Sequence, residues 1–168
     1  LLIQLAPSFP DKNISLGNWT DSNDRALLIV EDSSVVTEVF LLDLTEGSLR
    51  PIGRTSNVPK DKLHKMISKK FKTREGQDIY GYLTLPKGEI QRLIVYIHGG
   101  PYGIRDYDSY DFSEQYLASK GAAILKVNFR GSGGYGKNFI EDSYNEWGGT
   151  LLNDIADATK SVQAELGI

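Results

Sequence analysis

The chain has 168 residues and a formal net charge of -3, with 40% apolar and 24% charged residues and 19 basic against 22 acidic side chains. That is enough apolar material for one domain or parts of two, and the charge balance gives no general attraction to nucleic-acid phosphates or anionic lipid. The absence of cysteine excludes disulfide frameworks, thiolate nucleophiles and cysteine zinc sites, and histidine chemistry has only His64 and His98 to draw on.

In chain order, Leu1 to Leu5 reads as a short strand broken off by Pro7 and Pro10. Neither it nor any later run approaches the roughly 18 apolar residues that a membrane-spanning helix needs. The start has no methionine, no basic residues and too little length for a signal peptide, so the chain reads like a segment of something longer. Further β-prone runs cover Ala26 to Glu31, Val35 to Leu44 and Leu49 to Gly53. Between them lie Asp21-Ser22-Asn23-Asp24, Asp32-Ser33-Ser34 and Thr45-Glu46-Gly47, residues that bond to their own backbone or accept a left-handed conformation. This rhythm fits one blade of a β-propeller and equally a generic pair of hairpins.

Apolar periodicity then stops, and the polar segment 57–65 around Asn57-Val58-Pro59-Lys60 has the composition of a linker. The expected division is therefore 1–56, linker 57–65 and 66–168. The lysines from Lys60 to Lys72 are diluted by Asp61 and have no interleaved stacking aromatics, which favours a solvated face over a nucleic-acid site.

After the linker, Met66 to Thr73 and Ile79 to Leu85 predict a strand pair joined by a turn. Leu93 to Ile97 is a continuous apolar run, expected as a strand buried on both faces and aimed at His98-Gly99-Gly100-Pro101. Asp111 and Glu114 sit at capping-box spacing, and Gly121 marks a stop, giving a helix of roughly ten residues. A second buried run, Ala122 to Phe129, follows at once, so strand, helix and strand predict a right-handed βαβ unit in a parallel sheet. Leu151, Leu152, Ile155, Thr159, Val162 and Leu166 recur at helical spacing from Thr150 onward.

Several motifs compete for a chemical reading. Gly131-Ser132-Gly133-Gly134-Tyr135-Gly136 has the G-x-G-x-x-G spacing and follows a strand, but Asp154 and Asp157 fall inside an amphipathic helix instead of capping a next strand. A glycine loop that lets two backbones pass closely is the better reading. Ser132 is not in a G-x-S-x-G elbow, because position 130 is arginine, and no such elbow occurs in the chain. His98 has no acid partner identifiable by position, which favours a structural ring bonded to backbone, and His64 with Asp61 is too little for a metal site. The specific feature is a His-Gly-Gly-Pro turn after one buried strand and a glycine loop after the next. Glycines there free backbone amides to meet a ligand oxygen, which is half of an acyl-transfer site.

In the order of these motifs the chain resembles the prolyl oligopeptidase family of serine peptidases, especially its acylaminoacyl-peptidase and dipeptidyl-peptidase-like branches. The similarity rests on the strand pair from Phe71 to Pro86, the turn His98 to Pro101, the segment Asn128 to Gly136, and Trp147-Gly148 before the Asp154 helix. It covers roughly Ser68 to Leu166. It implies an incomplete three-layer α/β-hydrolase sheet, preceded by antiparallel strands of the last β-propeller blade. It also implies an oxyanion region at Gly99 and Gly100, most directly the Gly100 amide, with supporting loops at His98, Pro101, Arg130, Gly131 and Gly133. The catalytic serine, aspartate and histidine would lie beyond Ile168, so these residues alone are expected to be inactive, with an open sheet edge that disfavours autonomous stability.

The parent enzyme so implied hydrolyses peptide or acyl-amino bonds through an acyl-serine intermediate and needs no metal or organic cofactor. Its partners would be a peptide substrate and the rest of its own hydrolase and propeller domains, with no nucleic acid and no membrane. Compartment stays open between cytoplasm and periplasm. An esterase of the same fold, or a non-catalytic binding domain using the glycine loops and nine tyrosines, are the alternatives.

Overall fold

A computed structural model describes residues 1–33 and 35–168. Ser34, the end of the turn expected at Asp32-Ser33-Ser34, lies outside the described residues. The chain forms two compact units, one of residues 1–63 with 109–111 and one of residues 64–108 with 112–168.

The first unit opens with a single helical turn, α1 (Leu2–Leu5), and a 3-10 turn at Ala6–Ser8. The expected strand at Leu1 to Leu5 is therefore corrected to helix. Leucine and glutamine are good helix formers, and Pro7 sits in the first turn, where its missing N–H costs nothing. Four strands follow, β1 (Asn13–Trp19), β2 (Arg25–Asp32), β3 (Val35–Asp43) and β4 (Ser48–Arg54), in an antiparallel sheet of order β1-β2-β3-β4. Strand β1 escapes sequence reading because Asn13, Ser15, Gly17 and Asn18 dilute its β-propensity, and pairing with β2 decides its state. Alternation in β2 buries Ala26, Leu28 and Val30 on one face. The β3–β4 turn is held by Asp43, whose carboxylate accepts the Thr45 and Glu46 amides at 3.0 Å and Arg25 Nε at 2.7 Å. The Glu46 amide first, and then the guanidinium, hold that carboxyl below the usual aspartate range.

The second unit is built on β5 (Met66–Lys72), β6 (Asp78–Thr84), β7 (Arg92–Val95) and β8 (Ala122–Asn128), in the order β5-β6-β8-β7. Its helices are α2 (Phe112–Ser119), α3 (Lys137–Glu141) and α4 (Thr150–Leu166). The βαβ unit β7-α2-β8 is present with β7 and β8 parallel, but β5–β6 and β6–β8 are antiparallel, so the expected parallel sheet is a mixed one. All seven residues of β8 are buried, because helices cover both faces. Leu125 and Val127 pack with Leu151, Ile155 and Val162 of α4, and Ala122 and Ile124 pack with Ala118 of α2.

Strand β7 ends at Val95 instead of Ile97, and its apolar side chains are half-buried, with Tyr96 and Ile97 exposed beyond it. Among the described residues β7 pairs with β8 alone, which an apolar run does not reveal. In helix α2 Phe112 and Tyr116 are exposed, while Glu114 and Gln115 are buried. Glu114 is not free to close a capping box, because its carboxylate bonds Thr84 Oγ1 and meets Lys126 Nζ at 2.8 Å.

Gln115 clamps the His64 backbone, accepting from its N–H at 2.7 Å and donating to its carbonyl at 3.1 Å. His64, expected as a solvated linker residue, is thereby buried in this unit. Burial is the main cause that lowers its pKa from 6.5, so the folded ring resists protonation more than the unfolded one does. Stability from this group is full above pH 6.5 and falls as pH drops through the window below it. His64→Gln is expected to flatten the pH dependence of the urea midpoint between about pH 7 and 5. An unchanged slope would remove His64 as its source.

Gly81 of β6 faces Val127 of β8, and a Cβ there would collide with the Lys126 carbonyl oxygen, a backbone atom that cannot turn aside. Gly81→Ala is expected to lower stability by about 1–3 kcal/mol through overpacking. A denaturation midpoint equal to the parent's would refute that.

Candidate functional site

The strands deliver two loops to the same end of the second unit. One leaves β7 at His98-Gly99-Gly100-Pro101, and the other leaves β8 at Arg130-Gly131-Ser132-Gly133. Strand pairing is extended by Tyr96 N–H, which donates to Leu125 O at 2.8 Å, so the first loop starts from a fixed point.

His98 is held on three sides. Its ring stacks on Phe129, with centroids 4.6 Å apart and planes 11° from parallel. Its Nδ1 lies 2.8 Å from Gly99 O and its Nε2 lies 3.0 Å from Ser132 Oγ. A carbonyl only accepts, so Nδ1 carries the hydrogen, and in the neutral ring Nε2 accepts from the Ser132 hydroxyl. The ring thus bonds backbone through Nδ1, and the serine is a partner that its sequence position does not disclose. Gly100 follows with φ +128° and a cis peptide to Pro101.

The second loop passes against the first at backbone distance. Gly103 N–H donates to Gly131 O at 2.9 Å, and Gly133 N–H donates to Ile104 O at 3.0 Å. A Cβ on Gly131, which has φ +99°, would stand 2.9 Å from Ser143 Oγ and 3.2 Å from Pro101 O, and one on Gly133 would overlap the Gly103 carbonyl. The glycines thus serve close approach. Further along, Asn128 exchanges two bonds with the Asp106 backbone at 2.8 and 3.1 Å, and Arg105 donates to Tyr135 OH at 3.0 Å while lying 4.5 Å over that ring.

Arg130 anchors the second loop to α4. Asp154 Oδ2 accepts its amide N–H at 3.0 Å and its Nε–H at 2.9 Å, and Oδ1 accepts Nη2–H at 2.7 Å. Nη1 reaches Glu75 at 2.6 Å. These carboxylates, Asp154 foremost, push the guanidinium pKa further up from an already high value, so it stays charged. Sequence reading placed Asp154 on a helix but missed its role. The usable signal was an aspartate inside the buried stripe Leu151, Asp154, Ile155, Ala158, Val162. Asp157 bonds Arg74 instead, so neither acid of the nucleotide-like spacing is available to a ribose.

A Ser132–His98 hydrogen bond looks like a nucleophile with its base, but the surroundings do not support that use. Ser132 is fully buried, and the second ring nitrogen faces a carbonyl oxygen instead of a carboxylate. Beside the turn lies an apolar cleft of about 300 Å³ lined by His98 to Pro101, Phe129, Trp147 and Leu151. At its rim Trp147 Nε1 donates to Tyr102 OH at 2.9 Å, and Tyr144 meets Tyr102 edge-on. Among the described residues no three histidine or acidic side chains cluster as metal ligands, and no helix is long and apolar enough to cross a membrane.

Residues 108–168 match the profile of the prolyl oligopeptidase family. Dipeptidyl aminopeptidase BIII of Pseudoxanthomonas mexicana is 37% identical over 98 residues, which is 52% of this chain and 14% of that protein. Dipeptidyl peptidase family member 6 of Caenorhabditis elegans is 33% identical over 122 residues, covering 58% of this chain and 16% of that protein. Among solved structures, the Pyrococcus horikoshii acylaminoacyl peptidase matches with a TM-score of 0.70 at 25% identity, over 93% of this chain and 25% of that one. The chain thus spans 14% and 16% of the two curated relatives.

Proposed function

We propose, this chain being of the prolyl oligopeptidase family, that the protein is a serine peptidase hydrolysing peptide or acyl-amino bonds of oligopeptides through an acyl-serine intermediate. In this reading residues 1–168 supply the oxyanion region, with the Gly100 amide as one donor, and the triad is contributed by residues outside them. The strands β1 to β4 serve as a blade of a β-propeller, and peptide is the substrate class. No cofactor is required, since acyl transfer of this kind uses protein groups alone.

The observation that carries the reading is the fastening of the Gly99–Gly100 turn. A transition-state oxyanion is stabilised by donors that are already in place and pay no reorganisation when charge develops. Here His98 ties the turn to its own ring, the ring to Phe129, and the ring's far nitrogen to the next loop.

The test is labelling of the full-length gene product with a fluorophosphonate serine-hydrolase probe, located by peptide mapping. One label is expected, on a serine outside residues 1–168, with hydrolysis of a dipeptidyl or acyl-aminoacyl anilide lost in parallel. A label on Ser132 would overturn the assignment of roles, and no label with no hydrolysis would overturn the peptidase reading.

A further inference from the structure

The buried pair Arg130–Asp154 has a geometry that packing alone does not require. Asp154 is fully buried on α4 and spends both oxygens on one residue, taking the Arg130 backbone amide as well as two guanidinium N–H groups. The amide bond matters because it fixes where the chain leaves β8, two residues before Ser132. From there the path is short. Ser132 N–H donates to Phe129 O at 3.0 Å, its hydroxyl donates to His98 Nε2 at 3.0 Å, and the same ring donates to Gly99 O at 2.8 Å. Phe129 is at once the residue before Arg130 and the ring on which His98 stacks. Displacement of Arg130 therefore moves both supports of His98 together.

We infer that Arg130 and Asp154 are positioning residues for the oxyanion turn, setting the height of the Gly99–Gly100 amides through Ser132 and His98. This rests on reading that turn as the oxyanion region. The pair touches no substrate. Its effect on the reaction is to hold the donor within the fraction of an ångström over which transition-state hydrogen bonds are made.

A guanidinium is needed because its planar fork meets one carboxylate with two donors while leaving a third for Glu75. Lysine keeps the charge but offers one point contact, so Arg130→Lys separates orientation from charge. Asp154→Asn keeps shape while removing the charge and one acceptor oxygen.

The experiment uses the full-length protein with active sites titrated by a fluorophosphonate, so that misfolded molecules are not counted. Arg130→Lys and Asp154→Asn are expected to lower kcat per titrated site about 100-fold, the scale of a misplaced group, with KM within about twofold, as for an interaction made in the transition state. Binding of a peptide aldehyde, which forms a tetrahedral adduct, should weaken by the same factor as kcat/KM. Ser132→Ala removes only a hydroxyl from the last link and is expected to act in the same direction, which keeps the test open should the charged-pair variants fail to accumulate. Glu114→Gln, which disturbs the buried pair under α2 on the opposite face, is the stability control: melting temperature should fall while kcat per titrated site holds.

A purely structural role would lower the number of titratable sites and leave kcat per site at the parent value. That result, in the pair variants or in Ser132→Ala where those are insoluble, overturns the inference. A parent protein that takes no probe would instead remove the oxyanion reading on which it stands.

Discussion

Lys126→Ala is expected to destabilise the second unit by about 3–5 kcal/mol, the cost of removing one partner of a buried ion pair. Lys126 and Glu114 are both almost fully enclosed between β8 and α2, at 5% and 1% side-chain exposure, with 2.8 Å between Nζ and Oε2. The other Glu114 oxygen is bonded by the Thr84 hydroxyl, itself fully buried. The lysine also lies 5.8 Å from the centroid of the Tyr82 ring, so its truncation removes packing as well as charge. The effect should be read as a fall in the urea midpoint at unchanged slope. Replacing the whole polar set, Thr84→Val with Glu114→Leu and Lys126→Met, is expected to recover that loss and to add up to about 1–4 kcal/mol, because two desolvation costs disappear together. A triple variant as unstable as Lys126→Ala would show that specific packing, and not burial of an unpaired charge, governs this face.

That same pair shows where sequence reading stops. Ala122 to Asn128 is legible as a fully buried strand because apolar residues run without interruption, and the lysine within the run looks like a blemish. Its partner lies on a helix whose carboxylate stands at the spacing of a local cap, so the local explanation of Glu114 hides the tertiary one. Asp154 is masked in the same way, since an aspartate early in a helix is ordinarily explained by the helix dipole. Leu93 to Ile97 carries the composition of a central strand, and among the described residues β7 pairs with β8 alone, an arrangement that composition does not reveal. By contrast the glycine loop Gly131 to Gly136 is readable as a place where backbones pass closely, because only glycine accepts both the positive φ at Gly131 and the contact at Gly133. What joins them, the hydroxyl of Ser132 on the ring of His98, is a side-chain contact between residues 34 apart and has no periodic signature.

The largest functional effect is expected at His98. On the proposed oxyanion role of the turn, His98→Ala in the full-length protein should lower kcat by about 10²–10³, the range for loss of one oxyanion donor, since an untethered turn would no longer present the Gly100 amide at a fixed place. Two properties of the ring could be responsible, its stacking on Phe129 and its two hydrogen bonds, and His98→Phe separates them. Phenylalanine keeps a flat apolar ring at 4.6 Å stacking distance but has no nitrogen for Gly99 O or Ser132 Oγ. It is expected to retain most of the stability and still to lose the rate, because stacking leaves the turn free to slide along the ring face whereas the two bonds fix both its height and its direction. Rates per titrated site decide it. If His98→Phe turned over substrate like the parent, packing against Phe129 would be sufficient to hold the turn, and the path from Asp154 through Ser132 would have no last step to act on.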